Sequence, residues 1–308
     1  MTRFSQKIMD EFQIRKSAKQ KAAFRAWLQE TLENAGYCVR EEKGNFSTNV
    51  VVGDPDTAKV LFTAHYDTCS VLPFPNFITP RNFLIYLLYQ FVLCIPILGI
   101  PFGAEAALLI VWEDCPLWAA MLTVYALLFF MLWWLLDGPA NKHTANDNTS
   151  GVLTLLETSL ALPAEQRDTV CFIFFDNEEK GLFGSSAFAG KHKTAKKNTM
   201  TINFDCVSDG DYIHLFPNRR EKKDSETWRL LKESFLPAGE KTVTVINGTY
   251  PSDQRAFRRG VGVCALKKSR IWGYYLDRIH TGKDTVLDER NITLLRDGAL
   301  RLTASLCK

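Results

Sequence analysis

The cysteines supply neither a disulfide framework nor a zinc ribbon. All eight, at positions 38, 69, 94, 115, 171, 206, 264 and 307, are scattered, with no Cys-x-x-Cys pair and no regular spacing. The N-terminal stretch MTRFSQKIMDEFQIRKSAKQ lacks the apolar centre of a secretory signal. Reduced thiols are therefore expected. Charge of one sign is missing too. The net charge is +3, and no basic run carries interleaved aromatics, so there is no ground for a nucleic-acid partner. Internal repeats and low-complexity tracts are absent. At 308 residues the chain can hold one large domain or two small ones around a proper core.

The sharpest absence is local. From Phe83 to Ala104, and again from Cys115 to Leu136, there is no Asp, Glu, Lys, Arg or His; each run is 22 residues long. A bilayer core takes about 20 residues of helix. Trp112, Trp118, Trp133 and Trp134 lie near the predicted ends, where aromatic belts form. A buried helix pair is the alternative, but two such runs leave almost no polar face to meet water. Residues 82–137 are expected to form a transmembrane hairpin, with an oligomer through it left open. Its connecting stretch holds Glu105, Glu113 and Asp114 and no Lys or Arg, while Arg81 and Lys142 flank it outside. Positive-inside bias then keeps both ends in the cytoplasm, giving an integral protein of the cell membrane with a cytoplasmic catalytic domain.

Removing the hairpin leaves 1–81 and 138–308 as one discontinuous domain. Residues 12–35 read as an amphipathic helix, with Phe24, Trp27, Leu28 and Leu32 at helical spacing and Gly36 as the stop. The runs YCVRE, NVVVG, KVLFTAHYD, VCFIFFD and TMTINFD read as strands. Helices are expected at 150–161, at 230–235 and in the tail NITLLRDGALRLTASL. Strands alternating with helices argue for an α/β sheet covered on both faces.

Five segments place carboxylates or histidines just after apolar strands: FTAHYDT, ANDNTSG, FFDNEEKGLFGS, INFDCVSDGD and RIHTGKD. In open α/β sheets, sites gather at the carboxyl ends of strands, so these groups can converge. Singly each is ordinary. A histidine at a strand end is more often satisfied by backbone, Asp147 before TSGVLTLLE reads as an N-cap, and a Glu-Glu pair is usually solvated. Two histidines with several carboxylates and no cysteine nonetheless make a ligand set for zinc, manganese or cobalt.

The order His-x-Asp, Asn-Asp-Asn-x-Ser-Gly, Asp-x-Glu-Glu-x-Gly-Leu-x-Gly-Ser, Asp, then His-Thr-x-x-Asp resembles the M28 family of co-catalytic zinc peptidases, which includes aminopeptidases and glutamate carboxypeptidases. The resemblance spans essentially all of the chain outside the hairpin. It implies a three-layer α/β/α sandwich of phosphorylase/hydrolase type, with a mixed, mostly parallel sheet and two divalent metal ions, zinc foremost. It implies that Asp147 bridges the metals, His65 and Asp205 complete one site, and Glu179 and His280 complete the other. Glu178 would be the general base, and Asp67 would hold the His65 imidazole in its tautomer. Tyr250 matches a tyrosine that donates to the oxyanion, with an ordinary loop tyrosine as the alternative. The pattern departs at SDQRAF, where Gln254 replaces the family's histidine. His143, His192 and His214 are given no role.

The implied activity is that of an exopeptidase, with an aminopeptidase as the leading form. The alternatives are a metallocarboxypeptidase using Arg255, Arg258 and Arg259 as a carboxylate clamp, a single-zinc glutaminyl-cyclase-like acyl transferase, and a catalytically dead receptor-like member. Asp67 and Asp147 flank the hairpin, which brings the site mouth near the membrane. The expected substrate is an apolar or membrane-associated peptide, unless the hairpin is only an anchor.

Overall fold

The computed structural model describes residues 1–218, 225–236, 241–248 and 250–307. The helix expected over 12–35 is α2 (Ala18–Asn34), which begins six residues later, and a separate helix, α1 (Arg3–Glu11), precedes the expected range. Ser17 starts α2 with a capping box: its side chain accepts from the Gln20 N–H, and the Gln20 side chain binds back to the Ser17 N–H. The break before it is explained by Arg15. This residue is fully buried, its N–H donates to Thr68 Oγ1 at 3.0 Å, and its guanidinium reaches Thr149 Oγ1 at 3.2 Å. A helix through this point would turn those donors elsewhere.

The strands β1 (Val39–Lys43), β2 (Thr48–Val52) and β3 (Val60–His65) lead to two long helices, α3 (Phe83–Val111) and α4 (Leu117–Asp137). A tight turn, Ala145–Ser150, opens α5 (Gly151–Ala161). Then follow β4 (Val170–Phe175), α6 (Phe183–Lys191), α7 (Lys193–Asn198), β5 (Met200–Phe204), β6 (Tyr212–Pro217), α8 (Ser225–Phe235), β7 (Thr242–Val245), β8 (Gly260–Ser269), β9 (Gly273–Tyr275) and α9 (Glu289–Cys307).

Every residue of β3, β4 and β5 is buried, which is why these segments read as unbroken apolar runs rather than alternating ones. They sit centrally in one mixed sheet ordered β1-β2-β4-β3-β5-β8-β6-β7, with β9 on β8. The centre, β4-β3-β5-β8, is parallel; β2 joins β4 and β6 joins β8 antiparallel. Alternation sends Phe172 and Phe174 into a core with α2, α5, α8 and α9, and sends Cys171, Ile173 and Phe175 to α6 and α7 on the other face. This is the expected three-layer sandwich. Truncating any one of those phenylalanines to Ala is worth ~3–5 kcal/mol.

The hairpin leaves the sheet beside the carboxyl ends of the parallel strands. Ser70 bridges Ala140 antiparallel, the Val71 N–H donates to Pro139 O at 2.9 Å, and the Asn141 N–H donates to Cys69 O at 3.1 Å. Residues 69–71 and 139–141 thus form a short stem. Beyond it α3 and α4 pack on each other. None of the most apolar stretch of α3 is buried, and little of that of α4 is.

Candidate metal centre

β3 ends in His65, and Asp205 directly follows β5; their strands are neighbours in parallel register. Asp147 comes from the turn before α5, and three of the other polar side chains of that turn explain its position. Asn146 Oδ1 accepts from the N–H groups of Ser208 and Asp209 at 2.7 and 3.0 Å. Asn148 donates to Phe204 O at 3.0 Å and accepts from the Cys206 N–H at 3.3 Å, and Ser150 Oγ accepts from the Val207 N–H at 3.0 Å. The motif therefore ties the segment carrying Asp205 to the one carrying Asp147. Gly151 lets the helix approach: a Cβ there would stand 2.3 Å from Phe204 O.

The histidines and carboxylates converge. His65 Nε2 lies 3.3 Å from Asp147 Oδ1 and 3.6 Å from Asp205 Oδ1. His280 Nε2 lies 3.0 Å from Asp147 Oδ2 and 3.1 Å from Glu179 Oε2. Each oxygen of Asp147 thus faces one imidazole. Two N/O ligands of a tetrahedral zinc ion stand about 3.3 Å apart, from bonds of ~2.0–2.1 Å. His65, Glu178 and Glu179 also bring ligand atoms within 4.8 Å of one another. His280 sits on a left-handed backbone, φ 60°, and its carbonyl accepts from the Leu72 N–H at 2.7 Å, next to the hairpin stem.

Asp67 has a second use beyond its expected partner. Its carboxylate lies 3.6 Å from His65 Nδ1, but the closer contact of that nitrogen is Asp67's own backbone oxygen, at 3.2 Å. The carboxylate oxygens accept from the N–H groups of Glu178 and Glu179 at 3.0 and 3.3 Å, so Asp67 shapes the turn that presents both glutamates.

The electrostatics fit divalent cations. Burial, and then Glu179, Asp253 and Asp205, raise the Glu178 carboxyl well above its usual range, opposed by His65. Burial works against the Asp147 carboxylate as well, but His280 and His65 outweigh it and hold it ionised. Burial likewise opposes charge on His65 and His280, and the surrounding acids raise both. Glu179 Oε1 is buried without a hydrogen-bond partner. Crowded buried acceptors facing two imidazoles, one of them orphaned, suit a ligand with positive charge and no protons.

Tyr250 is buried, stacks on Phe216 at 6.4 Å, and has its hydroxyl at Cys206, next to Asp205. Gln254 turns back to the sheet, donating to Tyr250 O and accepting from Asn203 at 3.2 Å. Of the three arginines near Asp253, Arg255 lines a cleft of about 560 Å³ with Arg81, Phe83, Tyr86 and Pro251, whereas Arg259 turns away to Asn198 and Thr227.

Four residues without an expected role also belong to this region. Asp284 accepts from the N–H groups of Asn146 and Asp147 at 2.7 and 3.0 Å; the motif RIHTGKD contained it, and its spacing from His280 was the available signal. Arg15 lies beneath the site with Asp67 and Asp147 as its charge partners; burial lowers it to about 10. Asp253 is fully buried, and burial pushes it up to about 7 against the pull of His65. Cys69 stands with Glu179 and His280, their ligand atoms within 4.8 Å of one another.

The profile of peptidase family M28 matches residues 134–301. A probable zinc metalloprotease of Pyricularia oryzae is 30% identical over 155 residues, which is 47% of this chain and 30% of that protein. The chain thus spans well under half the length of this curated relative. Among solved structures, a Porphyromonas gingivalis glutaminyl cyclase superposes with a TM-score of 0.65 at 15% identity, covering 98% of this chain and 96% of that one. The Legionella pneumophila LapA aminopeptidase gives 0.60 at 13% identity, covering 98% and 69%. These two likenesses are of fold.

Proposed function

The chain belongs to peptidase family M28, and from that premise we propose that it is a two-zinc exopeptidase, an aminopeptidase working at a membrane surface. The observation that carries this reading is Asp147 holding one histidine at each carboxylate oxygen, at 3.3 and 3.0 Å. Such a placement would suit a carboxylate shared by two ions. His65 and Asp205 would hold one, and Glu179 and His280 the other.

When bound, two divalent cations supply Lewis-acid polarisation of the scissile carbonyl and acidify the attacking water. Glu178 takes the proton from that water and hands it to the leaving amine. Its raised affinity for a proton suits a group that must carry one between the two steps. Asp67 keeps Glu178 beside Glu179 through the two backbone N–H groups. Tyr250 is the donor assigned to the developing oxyanion.

The membrane part of the reading is supported by exposure. Leu84, Leu88, Phe91, Val92 and Ile95 on α3 and Leu122, Phe129 and Phe130 on α4 are all open. Each such side chain left in water forgoes ~1.5–3 kcal/mol of burial, and exposed patches of this extent mark membrane or partner surfaces. Residues 82–137 are accordingly assigned as a transmembrane hairpin inserted into a discontinuous catalytic domain, 1–81 with 138–308. The cleft of about 560 Å³ runs from the start of α3 to the loop after Tyr250, which favours an apolar or membrane-associated peptide as substrate.

The test is a set of peptides with free and blocked termini, offered to the zinc-loaded full chain in detergent. Loss of cleavage on N-terminal acetylation supports the aminopeptidase. Loss on C-terminal amidation replaces it with a carboxypeptidase, and release of ammonia from N-terminal Gln without cleavage replaces it with a cyclase. Two zinc ions per chain are expected, and a single ion would sink the two-metal mechanism.

A further inference from the structure

We infer that Cys69 supplies a thiolate ligand to the ion held by Glu179 and His280, an inference that rests on the proposed metal centre. Three observations support it. Cys69 Sγ, a Glu179 carboxylate oxygen and a His280 ring nitrogen lie within 4.8 Å of one another, and Cys69 is 2% exposed. Glu179 Oε1 is buried with no hydrogen-bond partner, an acceptor left open toward a cation. The hairpin stem also holds Cys69 in place: the Asn141 N–H donates to its carbonyl at 3.1 Å, and Asn141 Nδ2 contacts its sulfur at 3.8 Å.

Zinc takes sulfur at ~2.3 Å and nitrogen at ~2.0–2.1 Å, so sulfur and nitrogen on one tetrahedral ion stand about 3.6 Å apart. A side-chain movement of about an ångström closes the observed grouping to that value. On binding, the S–H bond breaks, its proton leaves to solvent, and the sulfur–metal bond forms. With Asp147 Oδ2 the ion then has four protein ligands. A site with four protein ligands is closed, whereas a catalytic site keeps a position open. The two ions are therefore unequal: the one at Cys69 is enclosed, and the one at His65 and Asp205 keeps the position where water is activated. A thiolate also shifts the enclosed site toward softer ions than a purely nitrogen and oxygen set would.

The experiment uses the full-length chain in detergent, stripped of metal and titrated with cobalt(II). The visible ligand-field bands report any bound cobalt, and a near-ultraviolet sulfur-to-cobalt band reports thiolate ligation. The wild type is expected to develop both. Cys69→Ser is expected to keep the visible bands, lose the near-ultraviolet band and bind zinc at least tenfold more weakly in chelator competition. Cys206→Ser is the control, because its sulfur lies 3.1 Å from Asp205 Oδ1 at the other ion, and it is expected to keep the band. Visible bands without the near-ultraviolet band, or a near-ultraviolet band that survives Cys69→Ser or vanishes in Cys206→Ser, overturn the ligation alone. No visible bands at all would overturn the metal centre, and the ligation with it.

Discussion

At the scale of single residues, the proposed roles divide into groups that would hold metal, one that would move a proton and several that position the others. Glu178→Gln keeps the shape of the turn, since the contacts to Asp67 come from backbone N–H groups. It is expected to bind metal as the wild type does and to lose hydrolysis by ~10²–10⁴-fold. Metal analysis beside peptide turnover checks this, and comparable turnover removes Glu178 from the role of base. Asp284→Ala withdraws the acceptor of the Asn146 and Asp147 N–H groups. Zinc affinity should fall ~10–100-fold, as for other groups that orient a ligand; chelator competition reads it, and unchanged affinity refutes the positioning role. The converging histidines and carboxylates were legible because each occupies a short motif after an apolar run. Arg15 and Cys69 were not. Each acts through atoms distant in sequence, such as the contact of Arg15 with Thr149, and no local pattern encodes such a meeting.

At the scale of elements, close approach and burial decide what is tolerated. Gly151→Ala forces α5 away from β5, because the new methyl would meet Phe204 O at 2.3 Å. A loss of ~1–3 kcal/mol in a denaturant melt is expected, with weaker zinc binding as Asp147 is displaced. His214 on β6 faces the rings of Phe216 and Tyr274, and burial, then Arg81, pushes it down to about 4. The unfolded imidazole titrates near ~6.5, so the unfolded chain binds more protons between the two values. The contribution of the neutral ring is present above about 6.5 and is lost as pH falls toward 4. His214→Phe should therefore flatten the acid limb of stability relative to the wild type, by on the order of 3 kcal/mol. Parallel acid limbs would show that His214 does not titrate in this way. The central strands were legible as apolar runs. The start of α2 was not: residues 12–17, expected as helix, lie outside it, since buried acceptors around Arg15 override a helical pattern that is locally sound.

At the scale of the whole molecule, the proposed membrane hairpin would set both topology and substrate access. Cys115 lies at the turn between α3 and α4, while Cys38 and Cys307 are exposed on the rest of the chain; the proposed orientation would put the turn outside and the other two in the cytoplasm. A membrane-impermeant maleimide added to intact cells should label Cys115 and spare the other two, and the opposite pattern reverses the orientation. Replacing residues 73–138 by an Asn-Gly turn across the stem should give a chain that partitions into the soluble fraction and retains zinc. It should still cleave short polar peptides but lose any preference for apolar ones. Persistence of that preference would mean that substrate choice resides in the domain and not in the bilayer. The stem has one further effect. Leu72, on the segment that leads into α3, is joined to a proposed ligand by the bond from its N–H to the His280 carbonyl. If the apolar pair spans a bilayer as proposed, a lateral pull on it would reach the proposed cage through that bond, and lipid chain length would become a variable of metal retention.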